Sequence, residues 1–199
     1  MIVITNPSSV INEIKIIHSL FEAGLELLHI RKPDYSEEKM KAFLSEIKVV
    51  FRTRLILHNH HQLAEDFGLN RFHFSEKDRK KTKPNRFLKP VRFPLTISTS
   101  THSIDEFNAL SNVFDYAFLS PVFPSISKEN YQSKEDLLEA LKKRTNFNTK
   151  LIALGGIQSK NINQVHNAGF DDIALLGSIW NSSNPLANFK LCQKNALSY

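Results

Sequence analysis

Eight apolar runs, each four to seven residues long, recur along the chain at intervals of about 25 residues, with amphipathic segments between them. In order they are MIVIT (1–5), LELLHI (25–30), RLILH (54–58), RFHF (71–74), FPLTIS (93–98), DYAFLS (115–120), KLIAL (150–154) and DDIALLG (171–177). Continuous apolar runs divided by helices indicate parallel strands buried on both faces. Their number decides the architecture, because eight such strands match a closed (β/α)8 barrel, the TIM barrel. An open doubly wound sheet usually stops at five or six strands and places a glycine-rich turn after the first. Here MIVIT runs into NPSSV, which holds no glycine.

Helices are expected over 9–23, 36–50, 60–67, 103–111, 134–145, 160–167 and 184–195. The basic segment 79–92 carries Pro84 and Pro90, so any helix there is short. At 199 residues and 41% hydrophobic content the chain has material for one core, and a minimal single-domain barrel spanning 1–199 is expected.

Charge narrows the partners. The net charge of +6 suits an anionic ligand, either nucleic acid or a phosphorylated small molecule. The basic runs at 31–41 and 76–86 hold a single aromatic residue, Tyr35, and so lack the aromatics interleaved with basic residues that a stacking platform for nucleic acid needs. The lone cysteine, Cys192, cannot close an intramolecular disulfide, which fits a reducing compartment. No signal peptide opens the chain, and no apolar run approaches the roughly 20 residues that span a bilayer. A cytoplasmic protein is expected. A homodimer stays open, since surface patches cannot be placed from sequence.

In an eight-stranded barrel the chemistry lies at the C-terminal ends of the strands. Strand two ends in HIRK, and alternation puts His29 and Arg31 on one face. Strand three ends in LHNHH, which raises the question of a histidine-bound metal at His58, His60 and His61. Strands seven and eight end in LGGI and LGS. Phosphate often sits between these two loops on backbone N–H groups, and Gly155 and Gly156 would let the chain approach an anion, with Gly177 and Ser178 opposite. After strand six, the polar loop 124–133 holds Ser125, Ser127 and Lys128, and Lys128 is a flexible point charge suited to phosphate.

These motifs together resemble the thiamine phosphate synthases. DYAFLSPVFPSISK is similar to that family's DYVGFGPVFPTxTK, and LIALGGI with the NINQVHNAGFDDIALLGSI stretch is similar to its last two strands. HIRK, LHNHHQLA, RFHFSEKD and STSTHS stand where the family has QLRxK, LINDxxxLA, GVHLGQED and GVSTHT. The resemblance implies coupling of hydroxymethylpyrimidine pyrophosphate to hydroxyethylthiazole phosphate, with magnesium and loss of pyrophosphate. By position it implies Arg31 and Lys128 on the pyrophosphate, with Ser100 touching its oxygens. It puts Asp78 on the metal, with Asn59 in the place of the family's second metal carboxylate. Ser125 and Ser127 would reach the thiazole phosphate, and Gly155, Gly156, Gly177 and Ser178 would hold it through amides.

Four positions depart from the family. Asn59 replaces an aspartate, His58 an asparagine, His29 a glutamine and Pro33 a lysine, while Lys32 comes one residue early and faces the other way. Asn59 still offers an amide oxygen, but magnesium prefers carboxylates. The phosphate half of the implied site is therefore kept and the pyrophosphate half altered. That leaves room for the sister thiazole tautomerases, which need neither pyrophosphate nor metal. Their acid–base histidine before the VF of strand six is Pro121 here. A non-catalytic phosphate binder is a third alternative. A metal-dependent hydrolase barrel, using His58 and His60 on an extended strand three, is a fourth, although Gly177 and Ser178 stand where it wants a carboxylate.

Overall fold

The computed structural model describes residues 1–81, 95–126 and 132–197. Its eight strands are β1 (Ile2–Ile4), β2 (Leu27–Ile30), β3 (Leu55–Leu57), β4 (Arg71–Phe74), β5 (Thr96–Thr101), β6 (Tyr116–Leu119), β7 (Lys150–Leu154) and β8 (Asp172–Leu175). Each pairs in parallel with the next, and β8 closes onto β1. Helices α1 (Glu13–Glu22), α2 (Glu37–Glu46) and α3 (Val49–Arg52) cover the first two turns of the barrel. Then come α4 (Ala64–Phe67), α5 (Glu76–Lys81), α6 (Ile104–Asn108), α7 (Leu137–Ala140), α8 (Ile162–Ala168), α9 (Gly177–Trp180) and α10 (Pro185–Ala196).

The expected barrel is present, and β4 and β7 have the bounds read from sequence. The expected helix 36–50 is two helices. Ile47 takes an extended conformation (ψ 126°) and is fully buried, which anchors the chain between α2 and α3. The fifth strand lies at 96–101 rather than 93–98. Its hydroxyls bond the neighbouring strands, Thr99 Oγ1 to the Phe74 carbonyl (2.8 Å) and Thr101 Oγ1 to the Phe118 carbonyl (2.9 Å). The polar STST run is thus satisfied inside the wall, and hydropathy alone underrates it.

Two apolar layers result. The larger lies between the barrel wall and the helices, with Leu20, Leu28, Met40, Phe107, Ile173 and Phe189 among its buried side chains. The smaller fills part of the barrel itself, from Ile2, Ile4, Tyr116, Phe118, Ile152 and Ala174. All of these come from β1, β6, β7 and β8. The facing strands β2, β4 and β5, together with the residue just past β3, bring His29, His73, Ser98 and His58 inward. The barrel interior is therefore half hydrocarbon and half hydrogen-bonded polar groups. That division aims the chemistry at the β2–β5 side.

Candidate active site

A cavity of about 440 Å³ opens at the C-terminal end of the barrel. Its floor is apolar, made by Ile4, Phe118, Leu154 and Ala174. Arg31, His58, His73 and Ser100 form one wall. Ser125, Gly155, Gly156 and Gly177 form the opposite wall. The geometry thus brings seven of the residues singled out from sequence around one space, from six strand ends. Ser127 and Lys128 lie outside the described residues.

The glycine wall is tight. Gly155 and Gly156 both have positive φ (98° and 66°). A Cβ on Gly155 would stand 2.7 Å from Pro121 Cα, and one on Gly156 would stand 2.6 Å from the Pro124 carbonyl oxygen. The segment after β6 is pinned there by Val122 N–H on the Leu154 carbonyl (2.9 Å) and Phe123 N–H on the Gly155 carbonyl (3.1 Å). Hence the glycines are required by the approach of this segment, and both also line the cavity. Gly177 opens α9, whose first N–H groups have no carbonyl one turn back. Ser178 is buried, and its Oγ has no hydrogen-bond partner.

Three residues taken from sequence sit elsewhere. His29 is fully buried below the cavity and reaches it only through His58, at 2.9 Å between Nδ1 and Nε2. Asp78 is exposed on α5 and accepts a hydrogen bond from Ser75 Oγ (2.5 Å). Asn59 donates through Nδ2 to the Lys32 carbonyl (3.0 Å), while its Oδ1 is buried and has no partner. The hydrolase geometry does not form. β3 stops at Leu57, His60 is in the left-handed region (φ 54°), and its Nε2 donates to the Tyr35 carbonyl (2.7 Å). His61 likewise hydrogen-bonds the Leu57 carbonyl (3.0 Å).

Beneath the cavity lies a network that the sequence reading did not assemble. His29 Nε2 pairs with Tyr116 Oη (2.7 Å). His73 pairs through Nδ1 with Ser98 Oγ (2.9 Å) and through Nε2 with Ser100 Oγ (3.0 Å). Burial holds all three imidazoles neutral, with His29 and His58 pushed well below the ordinary histidine value and His73 down to about 3. The adjacent His73 lowers the first two further, and the Arg31 guanidinium lowers His58 and His73. A signal was available in the sequence: His29, His58 and His73 hold equivalent inward phases on three successive strands. Tyr116 carried no such signal.

His102 bonds the Ser120 carbonyl through Nδ1 (2.8 Å), and its Nε2 lies 3.8 Å from Glu76. Among the described residues that line the cavity, Arg31 and Lys77 outnumber the carboxylate of Glu76, a balance that favours an anionic ligand.

Fold and site together define a (β/α)8 barrel with its cavity at the C-terminal strand ends, where barrels of this class carry their chemistry, and with a tight glycine turn after β7. Residues 1–179 match the family model described as thiamine monophosphate synthase. The chain belongs to that family. It is 26% identical over 178 residues to the thiamine-phosphate synthase of Dictyoglomus turgidum, covering 86% of this chain and 77% of that one. It is also 26% identical over 179 residues to the bifunctional thiamine biosynthesis protein ThiED of Geobacter sulfurreducens, where it spans 36% of the longer protein and 87% of itself is covered. Among solved structures, thiamine phosphate pyrophosphorylase from Bacteroides thetaiotaomicron matches with a TM-score of 0.76 and 31% identity, over 98% of this chain and 96% of that one.

Proposed function

We propose that the chain is a thiamine phosphate synthase-type transferase, joining hydroxymethylpyrimidine pyrophosphate to hydroxyethylthiazole phosphate and releasing pyrophosphate. The observation that supports this reading is the convergence of Arg31, Ser100, Ser125 and Gly177 on one cavity with an apolar floor. Such a cavity suits two flat rings that carry anionic groups at opposite ends. The family relationship supplies the reaction class.

Departure of pyrophosphate leaves a cation on the pyrimidine methylene and new negative charge on the leaving oxygen. The enzyme's task is to hold that charge and keep the thiazole nitrogen in line. Arg31 supplies a fork of donors for the pyrophosphate oxygens, and Ser100 adds a hydroxyl beside it. Lys128 adds a second positive charge in this proposal. On the far wall, Ser125 and the N–H groups at Gly177 and Ser178 take the thiazole phosphate. Phe118 and Leu154 exclude water from between the rings.

The donor set near β3 and α5 fits a magnesium ion that arrives with its pyrophosphate. Asp78 offers one carboxylate, and Asn59 Oδ1 is a buried oxygen with no other partner. Magnesium is often held by one or two carboxylates plus substrate phosphates. When bound, the ion neutralises charge on the leaving group.

A second reading draws on His58 and His73, neutral imidazoles at the cavity wall that could move a proton on thiazole phosphate without pyrophosphate. The deciding experiment is turnover with both substrates and magnesium, scoring thiamine phosphate. Product formation that falls at least hundredfold in Arg31→Ala supports the transferase. Isomerised thiazole phosphate with no thiamine phosphate supports the second reading. Thermal stabilisation by thiazole phosphate with no turnover at all leaves a binding protein.

A further inference from the structure

We propose that His29, His58 and His73 form a binding site for a divalent transition metal of the zinc or cobalt class, set in the barrel interior with one coordination position open to the cavity. One ring nitrogen from each lies within 4.8 Å of the other two. The three come from adjacent strands, at the end of β2, just past β3 and within β4. Bonds of 2.0–2.1 Å to a tetrahedral ion place imidazole nitrogens about 3.4 Å apart, a spacing this cluster already brackets. His29 Nδ1 and His58 Nε2 stand 2.9 Å apart.

The outer partners suit ligation. Metal-bound imidazoles use their second nitrogen for a hydrogen bond that fixes the ring. His29 has Tyr116 Oη at Nε2 (2.7 Å), and His73 has Ser98 Oγ at Nδ1 (2.9 Å). Ser98 Oγ in turn donates to the Phe72 carbonyl (3.3 Å), which makes it the acceptor for His73 Nδ1–H. His73 Nε2 therefore keeps its lone pair, directed to the cavity side where Ser100 now donates (3.0 Å).

One rearrangement is needed. The His58 and His73 rings are stacked, with centroids 4.1 Å apart and planes 25° from parallel, so both lone pairs cannot meet at one point as they stand. His29 is nearly perpendicular to both, at 77° and 70°. His58 is only partly buried and has the cavity beside it, so turning its ring completes the triad. The proton it shares with His29 then moves to the outer nitrogen of whichever ring carries it. An all-nitrogen set selects zinc, cobalt, nickel or copper over magnesium. The facing charge is Arg31, which opposes a cation, and an anion or hydroxide at the open position would offset it.

The site is independent of the transferase reading and is tested without substrate. The full chain, stripped with chelator, is titrated with Co2+ and then with Zn2+. The expected result is one equivalent of cobalt with the visible absorption of a four- or five-coordinate ion, displaced by zinc. His73→Ser and His58→Asn should each weaken binding at least hundredfold, while His18→Ala and His166→Ala leave it unchanged. His58→Asn sits at the cavity edge and keeps the test available if His73→Ser does not fold. Absence of that absorption, or binding that survives in a folded His58→Asn, overturns the proposal.

Discussion

Lys32 shows how a shift of one residue changes what a strand end does. The family's lysine position is Pro33 here, and Lys32 points away from the cavity. Lys32 is fully buried between the barrel and its helices. It sits 2.7 Å from both Glu13 carboxylate oxygens and donates to the Ser8 carbonyl at 2.8 Å. Burial pushes the Glu13 carboxyl up, and the Lys32 ammonium partly offsets that. Removing one partner of such a pair strands the other charge, at a cost of about 3–5 kcal/mol. Lys32→Met is therefore expected to lower stability by that amount in urea denaturation, and Lys32→Met with Glu13→Leu to recover most of it.

The buried histidines give a second residue-level prediction. Their folded pKa values lie below the unfolded value of 6.5, and His73 is at about 3. Below pH 6.5 the unfolded chain binds protons that the folded chain refuses, so stability is complete above that pH and falls as pH drops toward 3. Each refused proton contributes up to about 1.4 kcal/mol per pH unit in that window. Denaturant midpoints measured from pH 7 down to about 5 should fall steeply, and the slope should flatten in His73→Phe. An equal slope in that variant would remove His73 from the account.

At the scale of elements, the turn after β7 and the segment after β6 are one unit. Gly155→Ala meets both a positive φ of 98° and a 2.7 Å contact with Pro121. Gly68, which ends α4, has φ 65° with nothing within 4 Å of an added Cβ. Gly68→Ala is thus expected to cost only the left-handed backbone term, about 1–2 kcal/mol. Gly155→Ala should cost clearly more and also weaken phosphate binding, because Pro121 and Ser125 must move. Thermal melts of the two variants, with and without thiazole phosphate, check this.

At the scale of the molecule, ligand and metal responses follow from where the walls of the cavity come from. The ends of all eight strands line it, so a ligand that bridges them ties the barrel together. Thiazole phosphate at about 100 times its Kd should stabilise by about 2.7 kcal/mol, or about 5–10 °C in Tm for a domain of this size. Asn59→Asp would restore a second carboxylate at the oxygen that now lacks a partner. It is expected to raise magnesium affinity roughly tenfold through added ligand charge, read by magnesium titration of the melting temperature. Lower affinity would show that the site is built around the amide.

The sequence by itself determined the barrel, because continuous apolar runs indicate parallel strands buried on both faces, and eight of them at a steady spacing match a sheet that closes. It also determined which strand ends carry the cavity, since Arg31, Ser100, Ser125 and Gly177 follow apolar runs that the fold places side by side. Only the tertiary structure decided the rest. It turned the cluster at 58–61 into one inward histidine and two backbone-bound ones, because β3 ends at Leu57 and His60 takes a left-handed turn. It set His29, His58 and His73 against Tyr116, Ser98 and Ser100, across up to 87 residues of chain. Strand phase in the sequence says which side chains point inward. Which of them meet depends on the stagger of the closed barrel, and no local pattern of residues encodes that.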